Sequence, residues 1–170
     1  IYSSLLISKS LPKNVGTVIV KHSNPCGVSV NRDHKKSYNL ALSSDPISAF
    51  GGVVCCNFKI NTSIAKELYK KFYEVIIGNG IEKKALQIFK KRKNLRVIDS
   101  SSLKINSLES INLNDNNFLV QNTDHTKFSL KNFKVVSKRK PSSKMMMNLI
   151  STFNICRFVK SNAIVISNGD

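Results

Sequence analysis

Short runs of β-branched and aliphatic residues alternate along this chain with stretches whose apolar residues recur at helical spacing. The run at residues 17–22 is typical of a buried strand, and residues 34–44 follow it with an amphipathic helical pattern. The further predicted strands cover residues 50–57, 75–77, 95–98, 118–122, 133–137 and 163–167. The further predicted helices cover residues 61–73, 82–91 and 141–160, the last nearly encircled by apolar residues and therefore expected to be buried. Strands separated by helices predict an α/β layered domain with a mixed sheet.

The first predicted strand ends in two adjacent titratable residues, Lys21 and His22. Asn24, Pro25, Cys26 and Gly27 come next, and since Pro25 fixes φ and Gly27 permits a tight turn, we expect the chain to turn there. An imidazole can accept a proton near neutral pH, and an adjacent ammonium can stabilise an oxyanion. The pair is therefore a candidate catalytic centre, the alternative being a surface lysine beside a strand-end histidine.

The chain is strongly basic, with 27 Lys and Arg against 10 Asp and Glu, a net charge of +17. Such a charge leaves open a basic nucleic-acid-binding module as an alternative function. The densest clusters, at residues 90–93 and 138–140, carry no interleaved aromatic residues for base stacking. We therefore expect no nucleic-acid partner, and instead a field that attracts small anionic substrates.

The four cysteines form no C-x-x-C pair and no zinc pattern, which predicts reduced thiols and a cytoplasmic location. Cys26, close to His22, is a weaker candidate for a catalytic nucleophile. The sequence contains no run of 18 apolar residues and no signal-peptide pattern, so no membrane partner is expected. The chain has no initiator Met and stops just after a predicted strand, and we expect it to be a fragment.

Four later motifs complete the pattern that begins at Lys21. Residues 44–52 read Ser-Asp-Pro-Ile-Ser-Ala-Phe-Gly-Gly, residues 73–77 Tyr-Glu-Val-Ile-Ile, residues 91–96 Lys-Arg-Lys-Asn-Leu-Arg, and residues 160–164 Lys-Ser-Asn-Ala-Ile. In this order and spacing they resemble the transformylase half of the bifunctional purine-biosynthesis family. That family joins aminoimidazole carboxamide ribonucleotide (AICAR) formyltransferase to IMP cyclohydrolase.

The resemblance implies a cytidine-deaminase-like three-layer α/β/α fold, present twice in tandem and without the zinc of true deaminases. Residues 1–16 would then be a lead-in and residues 17–137 the first deaminase-like unit. Residues 100–117, rich in Ser and Asn, would form a polar variable loop within that unit. Residues 138–170 would lead into the second unit.

The implied reaction transfers a formyl group from 10-formyltetrahydrofolate to the 5-amino group of AICAR, giving formyl-AICAR during de novo purine biosynthesis. The folate is a co-substrate, no metal is implied, and the small-molecule partners are AICAR and the folate. The family works as a homodimer and carries a fused cyclohydrolase. A non-catalytic remnant is a further alternative, and we expect the 170 residues alone to lack activity.

The resemblance also assigns catalytic residues. His22 matches the catalytic histidine and would accept the proton, while Lys21 matches the neighbouring lysine, an electrostatic partner or proton donor. Asn162 matches an asparagine that binds near the carboxamide and the transferred group. Its structural alternative is a buried strand-end asparagine.

Four further residues are implied to bind substrate. Phe50 and Gly51 would line the AICAR pocket, although Phe50 could instead be a core residue. Glu74 would contact AICAR, or else serve as a salt-bridge partner. Asn24 would chiefly position Lys21 and His22, whereas Asp45 is expected to end the preceding helix.

Overall fold

A five-stranded sheet forms the centre of the molecule in the computed structural model, which describes residues 1–105, 110–115, 117–122 and 126–168. Its strands are β1 (Gly16–Lys21), β2 (Asn24–Val30), β3 (Gly52–Cys56), β4 (Tyr73–Gly78) and β5 (Arg96–Asp99). They lie in the order β2-β1-β3-β4-β5. Strand β1 is antiparallel to both β2 and β3, whereas β3, β4 and β5 are parallel. The predicted α/β class with a mixed sheet is therefore confirmed.

Helices cover both faces of this sheet. They are α1 (Tyr2–Ser10), α2 (His34–Ser44), α3 (Thr62–Tyr69), α4 (Lys83–Phe89) and α5 (Ser143–Cys156). One buried cluster joins α2, α3 and α4 to the sheet, whereas a second joins α1 to the opposite face. Cys55 and Cys56 belong to different clusters, as expected for neighbours on a strand. The result is the predicted three-layer α/β/α arrangement.

Short polar side chains fix the helix ends. Asn61 is the N-cap of α3, and its Oδ1 accepts a hydrogen bond from the Ile64 amide at 3.0 Å. Asp33 caps α2 in the same way by accepting from the amides of Lys35 and Lys36. Asp45 is the C-cap residue of α2, so its predicted place at the end of that helix is confirmed.

The predicted turn at residues 24–27 is wrong, because these residues begin strand β2. The turn lies at His22 and Ser23 instead, which have φ values of 51° and 66°. Pro25 is tolerated since β2 is the edge strand of the sheet. Gly27 is required by packing, because an added Cβ would lie 1.9 Å from the carbonyl oxygen of Ala41 in α2.

The later part of the chain forms a separate ribbon. Strands β6 (Ser110–Asn114) and β7 (Asn117–Gln121) pair antiparallel, which confirms the predicted strand at 118–122. Strand β6 falls within the predicted loop 100–117, of which residues 106–109 and 116 lie outside the described residues. A short 3₁₀ helix follows at Leu130–Asn132.

Two predicted strands and one predicted burial are wrong in this part. Residues 133–137 and 163–167 are not strands, since an apolar pattern forms a strand only where a neighbour takes its backbone hydrogen bonds. Within α5 only Ile150 is buried, whereas Met145, Met147 and Phe153 are about half exposed. Among the described helices, none is long and apolar enough to cross a membrane.

Candidate functional site

The sheet topology gathers most of the predicted site residues at one end of the sheet. Because β1 and β3 are antiparallel, the last residue of β1, Lys21, lies beside the start of β3. Strands β4 and β5 run parallel to β3 and so begin at this same end, which places Glu74 and Arg96 there. We call this the Lys21 end of the sheet.

Lys21 is held against the loop that leads into β3. Its Nζ donates to the carbonyl oxygens of Phe50 at 2.9 Å and Gly51 at 3.1 Å. Gly51 has a φ of +65°, which glycine adopts without steric cost, and an added Cβ would stand 3.0 Å from Nζ. An ammonium carries three N–H donors, and these two bonds leave one that no described residue takes up.

His22 stands at the tip of the β1–β2 turn. Its side chain is exposed, and its φ of 51° is in the left-handed region, which histidine enters more readily than most residues. No hydrogen bond to the ring is formed by the residues that the structure describes. The imidazole is therefore accessible to a ligand.

A long-range hydrogen bond brings the Lys-Ser-Asn-Ala motif to the Lys21 end of the sheet. Asn24 Oδ1 accepts from the backbone amide of Lys160 at 3.1 Å, across 136 positions of sequence. Asn162, two residues farther along, is exposed rather than a buried strand-end residue. Asn24 thus links the first motif to the last one.

For Glu74 the structure contains the alternative role, a salt bridge, whereas for Phe50 it excludes the alternative, a core position. Glu74 forms an ion pair with Arg96 at 3.0 Å, so the salt-bridge role is present, and the Glu74 side chain is still 48% exposed. Phe50 is 67% exposed, which excludes the core alternative. Its ring lies 5.1 Å from that of Phe72, measured between centroids.

Phe72 was missed by the sequence analysis, because the helical pattern at residues 61–73 places it on the core side of a helix. The structure ends α3 at Tyr69 and leaves the Phe72 side chain 42% exposed. The available signal was an aromatic residue, Phe72, next to a second one, Tyr73, at the start of the apolar run of β4.

Cys26 does not have the surroundings of a nucleophile. Its Sγ donates to the carbonyl oxygen of Ile19 at 3.5 Å. Burial, followed by the nearby charge of Asp45, raises the pKa of the Cys26 thiol above its ordinary value. A raised pKa keeps the thiol protonated and weakly reactive.

The described residues contain no group of three or more His, Cys, Asp or Glu side chains placed to hold a metal ion. The Lys21 end of the sheet combines an imidazole, an ammonium, bare glycine backbone and two exposed phenyl rings. These groups suit proton transfer and oxyanion stabilisation on a flat substrate.

Comparison with known proteins identifies the family. The model of the AICARFT/IMPCHase bienzyme family matches residues 3–170. The chain belongs to this family. A protein of Trichodesmium erythraeum (strain IMS101) named bifunctional purine biosynthesis protein PurH is 38% identical over 149 residues, covering 88% of this chain. Its namesake from Buchnera aphidicola subsp. Schizaphis graminum (strain Sg) is 40% identical over 153 residues.

The chain spans 29% of the length of each of these two AICARFT/IMPCHase relatives. Among solved structures, the apo dCMP deaminase of cyanophage S-TIM5 is similar with a TM-score of 0.44 and 9% sequence identity. That likeness covers 58% of this chain and 91% of the deaminase.

Proposed function

We propose that this chain is part of the formyltransferase half of its bifunctional family, and that the full-length protein containing it transfers a formyl group from 10-formyltetrahydrofolate to the 5-amino group of AICAR. The observation that carries the proposal is the pair of contacts made by Lys21 and Asn24. Lys21 is bonded to Phe50 and Gly51, while Asn24 is bonded to Lys160, so three separate motifs meet at one end of the sheet.

His22 is the proton acceptor in this reaction. The amine of AICAR is a poor nucleophile because its lone pair is conjugated with the imidazole ring and the carboxamide. The N–C bond forms as the amine attacks the formyl carbon, and the nitrogen must then lose a proton. An accessible imidazole suits this step, and general base catalysis is typically worth about 10²–10⁴-fold.

Lys21 stabilises the oxygen of the formyl group as it becomes an oxyanion. Two of its N–H donors are fixed on backbone carbonyls, which orients the third without further ordering. The tetrahedral intermediate then collapses, the bond between the formyl carbon and folate N10 breaks, and N10 takes up a proton. The protonated His22 or Lys21 can supply that proton.

The remaining residues bind and orient the substrates. Phe50 and Gly51 offer a ring and bare backbone to the flat heterocycle of AICAR, and Asn162 binds near the carboxamide. Glu74 contacts AICAR from its position beside Arg96, and Asn24 holds the Asn162 segment close. The proposal includes a cytoplasmic homodimer in which the rest of the polypeptide supplies phosphate and folate contacts.

The test measures formyl transfer to AICAR by the full-length protein that contains this chain. We expect His22→Ala to lower kcat by about 10²-fold or more while AICAR binding is retained, because the base acts in the chemical step. The matched control is His34→Gln, since the His34 ring stacks on Phe58 with centroids 3.8 Å apart, away from the site. Full turnover in His22→Ala, or none in the unmutated protein, would show that the proposed function is wrong.

A further inference from the structure

Two phenyl rings stand exposed beside Lys21, and only one of them belongs to a recognised motif. Phe50 is 67% exposed and Phe72 is 42% exposed, with their ring centroids 5.1 Å apart and their planes tilted by 40°. When a ligand removes an exposed phenyl ring from water, the buried apolar area contributes favourably to the free energy of binding. A group of exposed aromatic rings is therefore typical of a binding surface. The pair therefore offers area for a flat ligand.

We propose that Phe72 is a substrate-binding residue that completes, with Phe50, an aromatic surface for the heterocycle of AICAR. This inference rests on the function proposed above. Flat heteroaromatic rings stack on phenyl faces or meet their edges with centroids 4.5–7 Å apart. Phe72 thus adds to the site a contact that fixes ring orientation without taking part in proton transfer.

The loop of Gly51 ties Phe72 to the reactive groups. The Gly51 amide donates to the carbonyl oxygen of Phe72 at 2.9 Å. A Cβ on Gly51 would meet Phe72 Cε1 at 3.5 Å and Lys21 Nζ at 3.0 Å, so ring and ammonium flank the same bare α-carbon. The Phe72 ring and the Lys21 ammonium therefore lie on either side of one glycine, close enough for a single ligand to contact both.

The chain before Phe72 is fixed from the other side by Arg92. The guanidinium donates to the carbonyl oxygens of Tyr69 and Lys71 and lies 4.3 Å from the centroid of the Tyr69 ring. These bonds hold the residues that connect α3 to β4 and present Phe72. A ring held in place before the ligand arrives loses less entropy on binding.

The heterocycle of AICAR fits this surface better than the pterin of the folate. The amine that gives up its proton is attached directly to the AICAR ring, so this ring must approach His22 closely. Phe50 is bonded through its carbonyl to Lys21, the neighbour of His22. The pterin is separated from the reacting N10 by a methylene carbon, so it need not lie against Phe50 and Phe72.

The test compares variants of the full-length protein in steady-state formyl transfer. We expect Phe72→Leu to raise the KM for AICAR about 3- to 10-fold, as the loss of one aromatic contact implies, with kcat within about 2-fold. The KM for 10-formyltetrahydrofolate should not change, and Phe72→Tyr should restore the KM for AICAR. The matched control is Phe118→Leu, an exposed phenylalanine (70%) on β7.

An unchanged KM for AICAR would overturn the inference, and so would a rise confined to the KM for the folate. If Phe72→Leu does not fold, Phe72→Met replaces it, and the same split between KM and kcat decides. A failure of the proposed function is recognised separately, because His22→Ala would then keep its turnover whatever Phe72 does.

Discussion

The two parts of this chain carry similar apolar patterns and yet bury them very differently. In residues 1–105, side chains such as Ile19, Val54 and Ile76 are at most 1% exposed. In residues 110–168, Phe118 is 70% exposed and Ile166 is 93% exposed. The first part has a sheet with helices on both faces, whereas the described residues of the second part contain only the β6–β7 ribbon, the 3₁₀ helix and α5.

This difference shows that apolar periodicity predicts which side chains can be buried, while burial itself requires a facing layer. A two-stranded ribbon has no such layer of its own and is marginally stable in water. The candidate site straddles the two parts, since Lys21, Phe50 and Gly51 belong to the packed part and Asn162 to the exposed part. The bond from Lys160 to Asn24 joins them.

The largest expected effect tests the difference in burial directly. In the chain of residues 1–170, Ile76→Ala should lower the free energy of unfolding by about 2–5 kcal/mol, because it leaves a cavity in the packed core. The same substitution at Ile166 should change it by less than about 0.5 kcal/mol, because the side chain is already in water. Urea unfolding followed by circular dichroism measures both.

Equal losses for the two isoleucine variants would contradict the comparison. Measuring both isoleucine variants in the full-length protein as well makes this comparison more specific. A cost at Ile166 that appears only there would mean that the rest of the polypeptide covers this side chain.

A smaller effect is expected at the link between the two parts. Asn24→Ala removes the acceptor for the Lys160 amide, a bond worth about 0.5–1.5 kcal/mol. Turnover by the full-length protein should therefore fall up to about 10-fold, as Asn162 is held less well. Asn24→Asp keeps an acceptor oxygen and should retain most of the activity.

Equal activity in Asn24→Ala and the unmutated protein would show that the link does not position the site. Equal loss in the Ala and Asp variants would assign the effect to something other than the accepted hydrogen bond. The melting temperature of each variant, measured in parallel, separates local positioning from loss of the fold.

The sequence predicted the elements whose local signals agree with their place in the fold. Strands β1, β3, β4, β5 and β7 and helices α2–α5 were all expected near where they occur. Strand β2 was missed because Pro25 and Gly27 are local turn signals. Their presence in a strand depends on two non-local facts, the edge position of β2 and the close approach of Ala41.

The contrast between local signals and non-local contacts also explains which site residues the sequence could predict. Lys21 and His22 were found because a motif at a strand end marks them. The contact of Lys21 with Phe50 and Gly51 depends on the antiparallel pairing of β1 with β3, which is not a local signal. Phe72 was missed because a helical pattern covered it. Its position depends on a bond to Gly51 and on the early end of α3, which local periodicity does not encode.

The smallest expected effect is on the surface of the packed part, where Glu67 bridges two helices. Its carboxylate lies 2.8 Å from Lys35 on α2 and 2.8 Å from Lys70 after α3. Hydrogen bonds from Lys35 and Lys70 lower the pKa of Glu67, and the bond to Glu67 raises the pKa of Lys35. Breaking the bridge with Lys35→Gln should lower the melting temperature at pH 7 by at most about 3 °C.

The pH dependence of this bridge has a definite sign. A lowered pKa for Glu67 means that its contribution is complete above the ordinary glutamate pKa of about 4.3 and is lost as the pH falls through the folded value. The raised pKa of Lys35 means a second loss as the pH rises through that folded value, above about 10.4. The difference in melting temperature between the unmutated chain and Lys35→Gln should therefore persist at pH 6–8 and vanish in acid. Lys36→Gln, one residue away and outside the bridge, should show no such difference, and a difference that grows in acid would contradict the assignment.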